Sequence, residues 1–294
     1  MHILICSNGM PAADNATRLG GLLARLTGAE ATLLGIAERP EHESDLRDAL
    51  AAAKAALQEE GVAPRIAIGA GDPIRQILNE TSTSPYDLVV IGAERKGRTG
   101  LYWRSRKTYE VIKAIPLPVL VAVGECAHLK RFLVCTGGKK YIADAVKLAG
   151  KLAAAAGASI TLLHVMAEPP AMYSDLVRME EDLGRLLESN SELGLNLSRQ
   201  KADLESLGVA VEVRVRHGLV LEQVFREARR GDHDLIVTGS SQAAGLVRHY
   251  IMGDLTRSIL NRSECPVLVA RSGPASAPRS IFQSLKNVFV KSGG

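Results

Sequence analysis

Short uninterrupted apolar runs alternate along this chain with longer stretches in which apolar residues return every third or fourth position. Ile3–Cys6 is the first such run. Leu19, Leu22, Leu23 and Leu26 follow at i, i+3, i+4, i+7 spacing, one face of an α-helix, and Gly28 stands where that helix should stop. The pattern then predicts a strand at 31–36, a second helix, a strand at Ile66–Ala70, a third helix carrying Ile74, Ile77 and Leu78, a strand at 87–92, a fourth helix and a strand at 119–123.

The series then begins again. Ile5-Cys6-Ser7 matches Val134-Cys135-Thr136 at an offset of 129, as Thr32-Leu33-Leu34 matches Thr161-Leu162-Leu163. Asp87–Gly92 matches Asp234–Gly239 at 147, and Pro118-Val119-Leu120-Val121 matches Pro266-Val267-Leu268-Val269 at 148. The second copy therefore carries extra residues near 169–207, where its second helix is predicted to be longer and broken near Gly184 and Gly194. Strands at 160–165, 211–216, 234–239 and 267–270 complete it.

Five strands interleaved with four helices predict a doubly wound parallel sheet in each copy, because right-handed crossovers place helices on both faces. The fold class is thus α/β, two tandem five-stranded domains at 1–124 and 130–271, followed by a linker and amphipathic tail at 272–294. The alternation of Val211, Val213 and Val215 with Glu212, Arg214 and Arg216 places its strand near a sheet edge. Val119–Val123 and Val267–Ala270 are uncharged throughout. At an edge they would invite aggregation, so they are expected to pair antiparallel with each other around a pseudo-two-fold axis.

Composition adds limits. Apolar residues are 46% of the chain and aromatic residues only 4%, so the core is aliphatic. A net charge of +4, most of it from Arg279, Lys286 and Lys291 in the tail, does not announce a nucleic-acid partner. Four cysteines without metal-ligand spacing, no apolar run long enough to span a bilayer and no signal-peptide pattern point to a reduced, cytoplasmic setting. In the tail, Ile281, Leu285, Val288 and Phe289 share a helical stripe. It reads either as a docked or disordered tail or as a basic amphipathic anchor for a membrane or membrane protein.

Candidate chemistry gathers at the carboxyl ends of the strands, where such sheets bind ligands. Gly239-Ser240-Ser241-Gln242-Ala243-Ala244-Gly245, followed by Gly253-Asp254, leads from a strand towards a helix, a setting in which backbone N–H groups can face a phosphate. With Glu264-Cys265-Pro266-Val267-Leu268-Val269 behind it, with the strand openings Ile3–Ser7 and Phe132–Thr136, and with Leu163-His164-Val165, the chain resembles the universal stress protein family over both halves. The resemblance implies an adenine nucleotide alpha hydrolase-like fold and dimerisation through the last strand, here satisfied within one chain as a pseudo-dimer, with a further homodimer left open.

It also implies a small-molecule ligand, ATP or a related nucleotide, with Mg²⁺ accompanying it. The implied contacts in the second half are Thr136, Gly137, Gly138, Val165, Gly239, Ser240, Gly245, Gly253 and Asp254. Ser7, Asn8, Gly92, Arg95 and Arg106 form the weaker counterpart in the first. The family's binding loop, Gly-x-x-Gly, nine residues, then Gly-Ser or Gly-Thr, is not kept intact. Gln242 replaces the second glycine and Asp254 the hydroxyl residue, while in the first half Arg95, Ser105 and Arg106 depart likewise. Ser7 and Gly137 stand where the family's nucleotide binders carry aspartate. The basic stretch from Arg95 to Lys107 is either a solvated loop or a side-chain anion site. His164 and His217 read as structural. These departures favour a non-enzymatic stress-response protein; the alternatives are a weak Mg-dependent ATP hydrolase and a regulatory module that docks on a membrane protein.

Overall fold

The computed structural model describes residues 1–9, 11–93, 106–124, 126–137, 143–166, 183–242, 250–251 and 254–272. The first half runs β1 (His2–Ser7), α1 (Pro11–Thr27), β2 (Glu30–Ala37), a 3-10 turn (Pro40–His42), α2 (Glu43–Glu59), β3 (Arg65–Ala70), α3 (Pro73–Thr83), β4 (Leu88–Gly92), α4 (Arg106–Ala114) and β5 (Val119–Ala122). The second runs β6 (Arg131–Thr136), α5 (Ala143–Ala156), β7 (Ser159–Met166), α6 (Leu183–Glu188), α7 (Glu192–Glu205), β8 (Val211–His217), α8 (Val220–Arg230), β9 (Leu235–Gln242), β10 (Tyr250–Ile251), α9 (Asp254–Arg262) and β11 (Val267–Ser272).

Ten strands join in one sheet in the order β3-β2-β1-β4-β5-β11-β9-β6-β7-β8, and β10 folds back on β9. The five principal strands of each half are parallel to one another. The halves meet where β5 and β11 run antiparallel, with Val121 opposite Val267, Leu120 opposite Leu268 and Val119 opposite Val269. This is the pairing expected from their uncharged sequences: each strand supplies the other's missing backbone partners, and all six side chains are buried. The open edges are β3 and β8, in agreement with the alternation read in residues 211–216.

Helices cover both faces because strands that are apolar on both sides need two covers. On one face Leu19 and Leu23 of α1, Leu46 and Leu50 of α2, Ala145 and Ala149 of α5 and Leu197 of α7 belong to a single apolar cluster, and α1 packs on α5 across the seam. On the other, Ile77 of α3, Ile112 of α4, Val224 of α8 and Ile259 of α9 form the second. Both clusters run through the junction. Arg271, at the end of β11, is only 7% exposed. It crosses the seam to donate to the carbonyls of Ile112 and, at 3.2 Å, Leu117, so that it satisfies the end of α4. Arg257 of α9 lies 4.9 Å above the ring of Tyr109 on α4.

Gly28 and Gly157 close α1 and α5 with φ of +60° and +61°, the left-handed conformation that favours glycine. The inserted helical segment breaks at Ser189–Ser191, close to Gly194 as expected, while Gly184 is the second residue of α6. Ser191 starts α7 by accepting the Gly194 N–H at 3.1 Å. Gly194 is needed for another reason: a Cβ there would stand 2.2 Å from the Leu186 carbonyl of α6.

Candidate functional site

In each half the strand order reverses beside the first strand, between β1 and β4 and between β6 and β9, leaving a crevice at the carboxyl ends. In the first half Ser7 ends β1, and its Oγ accepts the Gly9 N–H at 3.2 Å across Asn8. Gly9 has φ +74°, so this turn depends on glycine. Gly92 ends β4 opposite Ala122. Arg106 is the first residue of α4, and Arg95 lies outside the described residues.

In the second half Thr136 ends β6 and Gly137 follows it. The Thr136 hydroxyl is engaged by the inserted helix. It donates at 3.0 Å to Gln200 of α7, buried, while the Thr136 carbonyl bonds to His164 Nδ1 at 2.9 Å. What Thr136 and Gly137 can offer a ligand is backbone. Val165 lies on β7 opposite Arg216. Gly239 and Ser240 were expected to open a loop, yet β9 continues to Gln242. Ser240 and Ser241 pair with Arg271 and Ser272 on one side, and Ser241 and Gln242 pair with Ile251 and Tyr250 on the other. The backbone partners of these polar residues come from β10, a little further along the chain, and from β11, about thirty residues on, so the residues themselves gave no sign of the extension.

Asp254 is the first residue of α9, and Thr256 ties that helix start to the strand. Its hydroxyl is 3.1 Å from Thr238 Oγ1 and donates to the Gly239 carbonyl at 3.3 Å. Gly138, Gly245 and Gly253 lie outside the described residues. No group of three or more His, Cys, Asp or Glu among the described residues is arranged to hold a metal ion. Burial pushes the Cys6 and Cys135 thiols up to about 12, which leaves them unreactive at neutral pH.

A polar cluster that the sequence reading passed over recurs in both halves, buried in the second and partly exposed in the first. Glu227 of α8 is 1% exposed and receives Arg214 and Arg216 of β8, the latter at 3.2 Å. Its carbonyl bonds to His233 Nδ1 at 3.1 Å, and His233 Nε2 meets Thr161 Oγ1 at 2.9 Å. In the first half Glu80 binds Arg65 and accepts from Tyr86 at 2.6 Å. Glu80 and Tyr86 correspond to Glu227 and His233 at the offset of 147, the one signal that could have drawn attention to them. The clusters fasten the third helix of each half to its edge strand.

The model of the universal stress protein family matches residues 1–122 and 128–271. The chain belongs to that family. Among curated proteins, a universal stress protein of Methanocaldococcus jannaschii is 24% identical over 142 residues, which are 48% of this chain and 82% of the relative. The solved structure of a universal stress protein from Archaeoglobus fulgidus superposes with a TM-score of 0.70 at 17% identity, over 92% of this chain and 98% of that one. A universal stress protein structure from Pseudomonas aeruginosa gives 0.63 at 17% identity, over 99% and 98%. Both likenesses extend through both halves, and at this identity they establish the tandem fold. No helix among the described residues of this universal stress protein is long and apolar enough to cross a membrane.

Proposed function

We propose that this is a non-enzymatic, cytoplasmic stress-response protein that binds an adenine nucleotide weakly at the second-half crevice, and with Mg²⁺. The observation that carries the reading is the start of α9 pinned by Thr256 to the carboxyl end of β9, on the strand next to the Thr136–Gly137 turn. A helix amino end beside the switch point of the sheet supports this reading, because the first N–H groups of a helix lack intrahelical partners and its positive dipole end favours phosphate. The continuation of β9 to Gln242 engages backbone that a phosphate loop would leave free, which lowers the expected affinity. Asp254 lowers it further. A carboxylate at ~4 Å from a phosphate, with an effective dielectric of about 20, repels it by roughly 4 kcal/mol. Mg²⁺ between them reverses the sign by taking both as ligands.

Calorimetry with ATP on the full chain tests this. Weak binding is expected with Mg²⁺ and none without it, and Asp254→Ser should bind equally in both conditions. Tight, metal-independent binding by the unaltered protein would overturn the reading.

A further inference from the structure

On the opposite side of the second half from its crevice, at the amino ends of β9 and β11, a cleft of about 700 Å³ opens between α8 and the end of α9. That volume is within the range of small-molecule sites. The internal repeat sets its lining apart. In the first half the equivalent positions carry Ile115, fully buried, and Leu117, partly buried and packed against the apolar cluster. The corresponding positions of the second half, at the offset of 148, are Ser263 and Cys265, so two large side chains have been withdrawn. The floor stays apolar with Leu221, Phe225 and Ile236.

The rim has changed as well. Asn79, Ser82 and Ala114 of the first half correspond to Arg226, Arg229 and Arg262, and all three arginines line the cleft and are exposed. Among the described residues no ion pair engages them. Arg229 and Arg262 stand in the last turns of their helices, where a positive charge offsets the helix dipole. Arg226 stands mid-helix, and the dipole gives no reason for it. Glu222, Asp232 and Glu264 on the same rim disfavour a polyanion, so a single anionic group fits this charge pattern better than a triphosphate does.

We propose that this cleft is a second ligand site, for a small organic anion with an apolar body. The body lies on Phe225 and Ile236, in the room left by Ser263 and Cys265, and the anionic group reaches Arg226 and its neighbours. The site is independent of the nucleotide crevice, which is at the other ends of the same strands.

The probe is anilinonaphthalene sulfonate, one sulfonate on an aromatic body, titrated by fluorescence into the full-length protein. One saturable site is expected, and saturating ATP with Mg²⁺ should leave it unchanged. Installing the first half's residues, Ser263→Ile with Cys265→Leu, should weaken binding by about tenfold or more, and Arg226→Asn with Arg229→Ser by about tenfold. The arginine pair is exposed and does not threaten folding, so it decides the matter even if the refilled variant is unstable. Binding that does not saturate, that is unchanged by the arginine pair, or that ATP displaces would overturn the proposal. Failure of ATP to bind would leave it standing.

Discussion

His233 and Tyr86 occupy equivalent positions, and the difference between them has a thermodynamic consequence. His233 is 8% exposed, and burial holds its pKa below the ordinary 6.5. The unfolded chain therefore takes up the proton more readily than the folded one. The contribution is complete above a pH of about 6.5 and is lost as pH falls below that value towards the depressed folded pKa. His233→Tyr installs the first half's residue and removes the titration. The urea midpoint of the parent should fall relative to that of the variant between about pH 8 and about pH 5.5; parallel midpoints across that range would refute the assignment. Little of this was legible in the sequence. His233 has no neighbour in the chain that explains it, and its partners Thr161 and the Glu227 carbonyl arrive from β7 and α8. The same holds for Thr136: its candidate role was read from its place at a strand end, but its hydroxyl is claimed by Gln200, 64 residues away on the inserted helix.

At the scale of the element, what could be read was whatever the local pattern fixes. The other nine principal strands were visible as apolar runs because both faces of the sheet are covered, and β8 with its edge position was visible as period-two alternation. The extension of β9 was not, since Ser240, Ser241 and Gln242 resemble a loop until β10 and β11 supply partners. Nor was the closure of α4, which takes its last hydrogen bonds from an arginine of the other half. Arg271→Met keeps the volume and removes the donors, leaving the carbonyls of Ile112 and Leu117 without them. Such a loss costs about 2 kcal/mol, read as a lowered urea midpoint at constant slope. An unchanged midpoint would show that water takes the place of the guanidinium.

The whole molecule is organised around one seam. Because both apolar clusters run through it, neither half has a core it can call its own, and the chain should unfold in a single transition despite its length. Scanning calorimetry should show one endotherm at the same temperature at widely different protein concentrations, since the two halves share a chain. Two resolved endotherms would mean that the halves are thermodynamically separate.

A dimer of identical subunits meeting on this strand would present the same side chain on both sides of its axis, so every change at the junction would arrive twice. Fusion lifts that obligation. Arg271 reaches α4, while Val123, its counterpart at the offset of 148, sends no guanidinium back. A homodimer would have to make that contact in both directions or in neither. Selection can act on each copy alone, letting one give up a ligand or open a new cleft while the other preserves the shared framework. The partnership that makes this freedom safe cannot be lost by dilution.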